Sequence, residues 1–154
     1  MRRGARRGVA ALEFGLLAPV LVTLFCAILE YSFQELTAAT LDMGMREASR
    51  FGATGALKPD WLTGTPPATR EEAIRRVVLH YGSPVLKSEG LVISTTLLSN
   101  AGRNTAGGSG DLVLYRLDYT QPFLTPLAVL VTGRRATAHH RSTTVIRNEP
   151  FPTS

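Results

Sequence analysis

One carboxylate, Glu13, stands inside the apolar run VAALEFGLLAPVLVTLFCAIL that extends from Val9 to Leu29. A charged side chain at the centre of a bilayer costs roughly 2.5–3.5 kcal/mol on insertion scales, so a carboxylate within such a run calls for a compensating partner. The residues just upstream suggest one. Arg2, Arg3, Arg6 and Arg7 precede the run with no acid among them, and Gly8 and Val9 form the junction. If the chain is cut between Gly8 and Val9, the new α-amino group of one subunit can pair with Glu13 of a neighbour, offsetting the desolvation of both. Glycine ahead of the cut suits an extended backbone entering a peptidase. Two plainer readings stand beside this one. Glu13 lies only about one turn inside the run and can snorkel to the cytoplasmic interface. A secretory signal peptide shares the basic-then-apolar order, but a run this long without a small-x-small cleavage site reads as an anchor.

The other residue types capable of chemistry are scattered. His139 and His140 are adjacent, and adjacent strand residues point to opposite faces, so they do not readily share a metal ion. His80 is isolated on a predicted helix. The chain contains no Gly-x-Ser-x-Gly elbow, no His-Glu-x-x-His pair and no Cys/His cluster, so neither catalysis nor a metal or other cofactor is expected. The single cysteine, Cys26, rules out an intrachain disulfide. Bulky Phe25 beside it fits a lipoprotein cleavage point poorly. Net charge is +5 with a pI near 10, which alone would admit nucleic acid as a partner. However, the first basic group precedes the apolar run, and the second, Arg134, Arg135, Arg141 and Arg147, has no interleaved aromatics on which bases could stack. Solvated strand edges account for the second group, and nucleic acid is not expected.

The elements that must position these residues begin with the run itself. Its 21 residues make a helix of about 31 Å, long enough to cross the hydrocarbon core. Four preceding arginines put the amino terminus in the cytoplasm and the rest of the chain in the periplasm. Residues 1–8 then form a basic leader, 9–29 a transmembrane helix and 30–56 a helical stalk ending near Gly52 and Gly55, with apolar or small residues at Phe33, Leu36, Ala39 or Thr40, Met43 and Ala48. Pro19 interrupts the span opposite Gly15, where small surroundings tolerate its ring.

Residues 57–154 are expected to be a small periplasmic α+β domain. LKPDWLTGTPPA, from Leu57, reads as a loop. Thr69-Arg70-Glu71-Glu72 is a capping box for a short helix ending near Tyr81 and Gly82, with Ala73, Ile74, Val77 and Val78 as its apolar stripe. Leu91–Leu98, Asp111–Thr120 and Ala136–Arg147 are strand candidates for an antiparallel sheet of about three strands. In the second, Val113, Tyr115, Leu117 and Tyr119 form the core face. The glycine- and serine-rich Ser99–Gly110 is expected to be a mobile loop; it lacks the helix start and Gly-Lys-Ser/Thr of a phosphate loop. Phe123–Val131 is apolar but short and contains Pro126, so it cannot cross a membrane and should pack on the domain, a partner or the membrane surface.

The block RRGVAALEFGLLAPVLVTLF resembles the amino terminus of the TadE-like pseudopilins of the tight-adherence pilus system, and Val145-Ile146-Arg147-Asn148-Glu149-Pro150-Phe151 resembles that family's closing stretch. The resemblance implies cleavage after Gly8 by a prepilin peptidase. It also implies recruitment of Val9–Leu29 into an inner-membrane assembly with other pilins, pseudopilins and pilus assembly proteins, Glu13 matching the acidic position of processed pilins. Phe14 follows the glutamate where major pilins of this system favour tyrosine, which points to the minor or pseudopilin branch. The alternative is a single-pass membrane-anchored periplasmic interaction domain that is never processed.

Overall fold

The computed structural model describes residues 3–98, 105–133 and 137–150. Its elements are α1 (Arg3–Ala53), α2 (Arg70–Gly82), β1 (Leu91–Leu97), β2 (Leu112–Pro122), α3 (Leu127–Thr132) and β3 (Thr137–Arg147), an α+β arrangement with a three-stranded antiparallel sheet ordered β1-β2-β3. The chain divides into two compact units.

The first unit comprises Met1–Glu35 and Pro122–Thr137. Here α1 runs on through Pro19, and the Thr23 hydroxyl donates to the Pro19 carbonyl at 2.8 Å. A Cβ at Gly15 would meet nothing within 4 Å, so this helix is not packed around its glycine. At its far end Glu30 is buried. Its carboxylate accepts from the backbone N–H of Leu124 at 3.2 Å and of Thr125 at 2.8 Å. After that turn Leu127–Thr132 forms α3, which closes at Gly133 in the left-handed conformation, φ 67°, a geometry that favours glycine.

The second unit comprises Leu36–Gln121 and Ala138–Ser154. Its core is built from Leu41, Met45 and Ala48 of α1, Ile74, Val77 and Val78 of α2, Leu91 and Leu97 of β1, and Val113, Tyr115, Leu117 and Tyr119 of β2. The alternation of β2 therefore buries the expected face. β1 pairs antiparallel with β2 from Leu91 opposite Tyr119 to Leu97 opposite Val113. α2 begins as a capped helix should: the Thr69 hydroxyl accepts from the Glu72 N–H at 3.2 Å, and the Glu72 carboxylate reaches back to the Ala68 N–H. α1 and α2 cross closely at Gly44, where a Cβ would lie 3.2 Å from Val78 Cγ1 and 3.3 Å from its carbonyl oxygen.

Two expectations need correction. The inward stripe of α1 in this unit is Thr37, Leu41, Gly44, Met45 and Ala48, whereas Leu36 and Met43 are half exposed. The larger apolar residues set the expected phase, and Thr37 and Gly44 concealed the true one. The glycine-rich stretch is held from Thr105 onward. Arg70 donates to the carbonyls of Gly52, Ala106 and Gly107, and Asn148 Nδ2 donates to those of Ala106 and Gly108. A segment whose own carbonyls are spoken for in this way is not a free linker. Gly8 lies within α1, which starts at Arg3. Residues 99–104 of the expected mobile loop, Arg2, Arg134, Arg135 and Phe151 lie outside the described residues.

Candidate functional site

Gly8, Val9, Glu13 and Phe14 all lie in the first turns of α1. No other described element covers the helix there: Val9 is 58% exposed, Phe14 70% and Leu16 69%, and Glu13 is exposed among them. Val9 and Glu13 are four residues apart and so stand one turn apart on one side of the helix. Phe14 is rotated about 100° further round and presents its ring to a neighbouring sector. The structure thus aligns the junction residue with the carboxylate and leaves both available to something outside the chain. Within the described residues, Glu13 has no hydrogen bond or ion pair.

This exposure continues along the span. α1 is the one helix among the described residues that is long and apolar enough to cross a membrane, and its most apolar window is wholly unburied. Exposed side chains include Leu17, Leu21, Leu24, Phe25 and Ile28. An apolar surface of that extent marks a membrane or an interaction surface. Residues 8–50 match the family described as TadE-like protein. Over that stretch the amino-terminal helix is similar to the family. The match begins at Gly8, includes Val9, Glu13 and Phe14, and ends in the last turn of the helix. No curated protein and no solved structure matches the chain.

The histidines stay apart. His139 Nδ1 lies 3.0 Å from the Thr120 hydroxyl, and His80 stacks on Trp61 with ring centroids 3.8 Å apart. Among the described residues no three His, Cys, Asp or Glu side chains gather as metal ligands. The tether at Glu30 was missed from sequence. The one available signal was an acid placed immediately after the apolar run, and its partner amides come more than 90 residues later.

Proposed function

We propose that this chain is a minor pilin or pseudopilin of a tight-adherence pilus system. It is inserted in the bacterial inner membrane by Val9–Leu29, cut after Gly8 by a prepilin peptidase, and acts in pilus assembly and surface adhesion as a structural subunit rather than an enzyme. The observation that carries this reading is the free apolar surface of α1 around Glu13, in the segment that matches the TadE-like family. A carboxylate surrounded by exposed Leu12, Phe14, Leu16 and Leu17 has no water to solvate it once the helix is in lipid, and a neighbour's α-amino group is the partner that processing creates. The cytoplasmic amino terminus follows from the four arginines. The carboxyl-terminal portion is then periplasmic.

One observation favours the second reading, an unprocessed anchored domain: helix α1 runs unbroken through Gly8, and a peptidase has to open that turn to reach the bond. Intact-mass measurement of the chain isolated from its native membrane decides between them. A chain beginning at Val9 is expected. A chain that retains residues 1–8 in cells with an active peptidase overturns processing and leaves the anchored domain.

A further inference from the structure

The segment 123–131 is apolar, presents exposed Leu124, Val129 and Leu130, and is held by the residue that follows the apolar run. Leu124 is 59% exposed, Val129 43% and Leu130 77%. No charged residue occurs between Asp118 and Arg134. These residues belong to the same compact unit as the apolar part of α1. Glu30, directly after Leu29, accepts from the Leu124 and Thr125 amides at 3.2 and 2.8 Å, so the backbone of the segment lies one hydrogen bond from the end of the run.

The length of the run sets the level at which this happens. At about 1.5 Å per residue, Val9–Leu29 matches the roughly 30 Å hydrocarbon core, which brings Glu30 to the far interface. An interface is where a short apolar helix can bury its side chains by about 5–10 Å without spanning. It is also where a carboxylate is tolerated, here with two backbone donors in place of water.

We propose that residues 123–131 are a membrane-surface foot: Leu124, Val129 and Leu130 enter the periplasmic leaflet beside the span, and Glu30 holds them at that depth. The inference rests on the membrane reading of α1. Lipid is the occupant because the tether sets the segment beside its own chain's membrane helix. The chain's own bilayer then covers these side chains with no second protein needed. A second contact point would restrict the tilt and rotation of the helix, which a single span leaves free.

The test uses the full chain in vesicles of phosphatidylethanolamine and phosphatidylglycerol. In a Cys26→Ala background, a nitrobenzoxadiazole dye is attached at one cysteine per sample, introduced by Leu130→Cys, Ser109→Cys or Leu21→Cys. Quenching is read with nitroxide placed near the headgroup end or near the methyl end of the lipid chain. The dye at position 130 should be blue-shifted and quenched by the shallow nitroxide, the dye at 21 by the deep one, and the dye at 109 by neither. Glu30→Ala should abolish quenching at 130 while leaving that at 21 intact. If 130 behaves like 109 while 21 is quenched, the foot is overturned and the span stands. Absence of quenching at 21 overturns the membrane reading itself, and the foot with it. A blue shift at 130 that lacks quenching and grows with the protein-to-lipid ratio assigns the surface to a second copy and overturns the lipid proposal. Quenching at 130 that survives Glu30→Ala overturns the tether.

Discussion

At Glu13 charge and shape can be separated by one substitution. Glu13→Gln keeps the volume and removes the charge, so membrane insertion should persist or improve while co-purification with other pilus subunits falls. Unchanged co-purification would mean that Glu13 merely snorkels. Gly8→Leu should leave the leader attached, as a mature mass still beginning at Met1 or Arg2 would show, because a peptidase needs close approach to the backbone at that position. In the domain, Tyr115 couples stability to alkaline pH. Burial pushes its hydroxyl above the ordinary value, the nearby Arg70 guanidinium pulls it down, and Glu71 pushes it up again, with a net rise. Its Oη is buried without a hydrogen-bond partner. A raised folded value means that stability is whole below the unfolded value, about pH 10, and is lost as the pH climbs from there towards the folded one. Tyr115→Phe removes both the lone hydroxyl and the titration. It should leave the neutral-pH unfolding midpoint within experimental scatter or raise it, and should extend the alkaline limit, as followed by Trp61 fluorescence in detergent. A clear loss of neutral-pH stability would show that the hydroxyl has a partner.

Individual elements differ in how plainly their residues announce them, and the difference is physical. The start of α2 was readable at Thr69 and Glu72 because a cap is a local bargain between residues three apart. It is correspondingly easy to break: Thr69→Ala should lower the stability of the domain by about 1 kcal/mol, measured as a shift in the urea midpoint with unchanged slope. The core face of β2 was readable because Val113, Tyr115, Leu117 and Tyr119 alternate with less buried residues. The buried stripe of α1 was not, since Thr37 and Gly44 sit in it and Leu36 and Met43 do not. What turns the helix is the fit of Gly44 against Val78, a contact 34 residues away. Gly44→Val adds branched carbon where a single Cβ is already tight. It should force α1 and α2 apart and cost about 1–3 kcal/mol, read in the same urea titration. The order of the glycine-rich stretch was hidden for the same reason. Its carbonyls are held by Arg70 and Asn148, residues remote in sequence whose roles only the fold reveals.

For the molecule as a whole, the four arginines, the Gly8–Val9 pair, Glu13 and the apolar run are consecutive, so the sequence alone suffices to propose them as one set. Orientation can be argued from the same stretch. Four arginines lie before the span, and the translocation machinery retains such a cluster in the cytoplasm. The remaining apolar stretch folds as the six-residue α3, far short of the roughly 20 residues that a second crossing requires. On the proposed reading, everything after Leu29 is expected on one side, the periplasm. Ser109 is the place to ask. It is exposed, and it lies between Gly108, whose carbonyl Asn148 holds, and the start of β2, so a probe there reports the domain and not a loose tail. In intact cells with a permeabilised outer membrane, a Cys26→Ala, Ser109→Cys chain should react fully with a membrane-impermeant maleimide. Cys26, alone in the parent chain and embedded in the apolar run, should stay unlabelled in the same assay. Labelling at position 109 that appears only after the inner membrane is breached would place the domain in the cytoplasm. Neither export through the span nor membership of an external pilus would survive that result, since both need the folded domain on the side from which fibres grow.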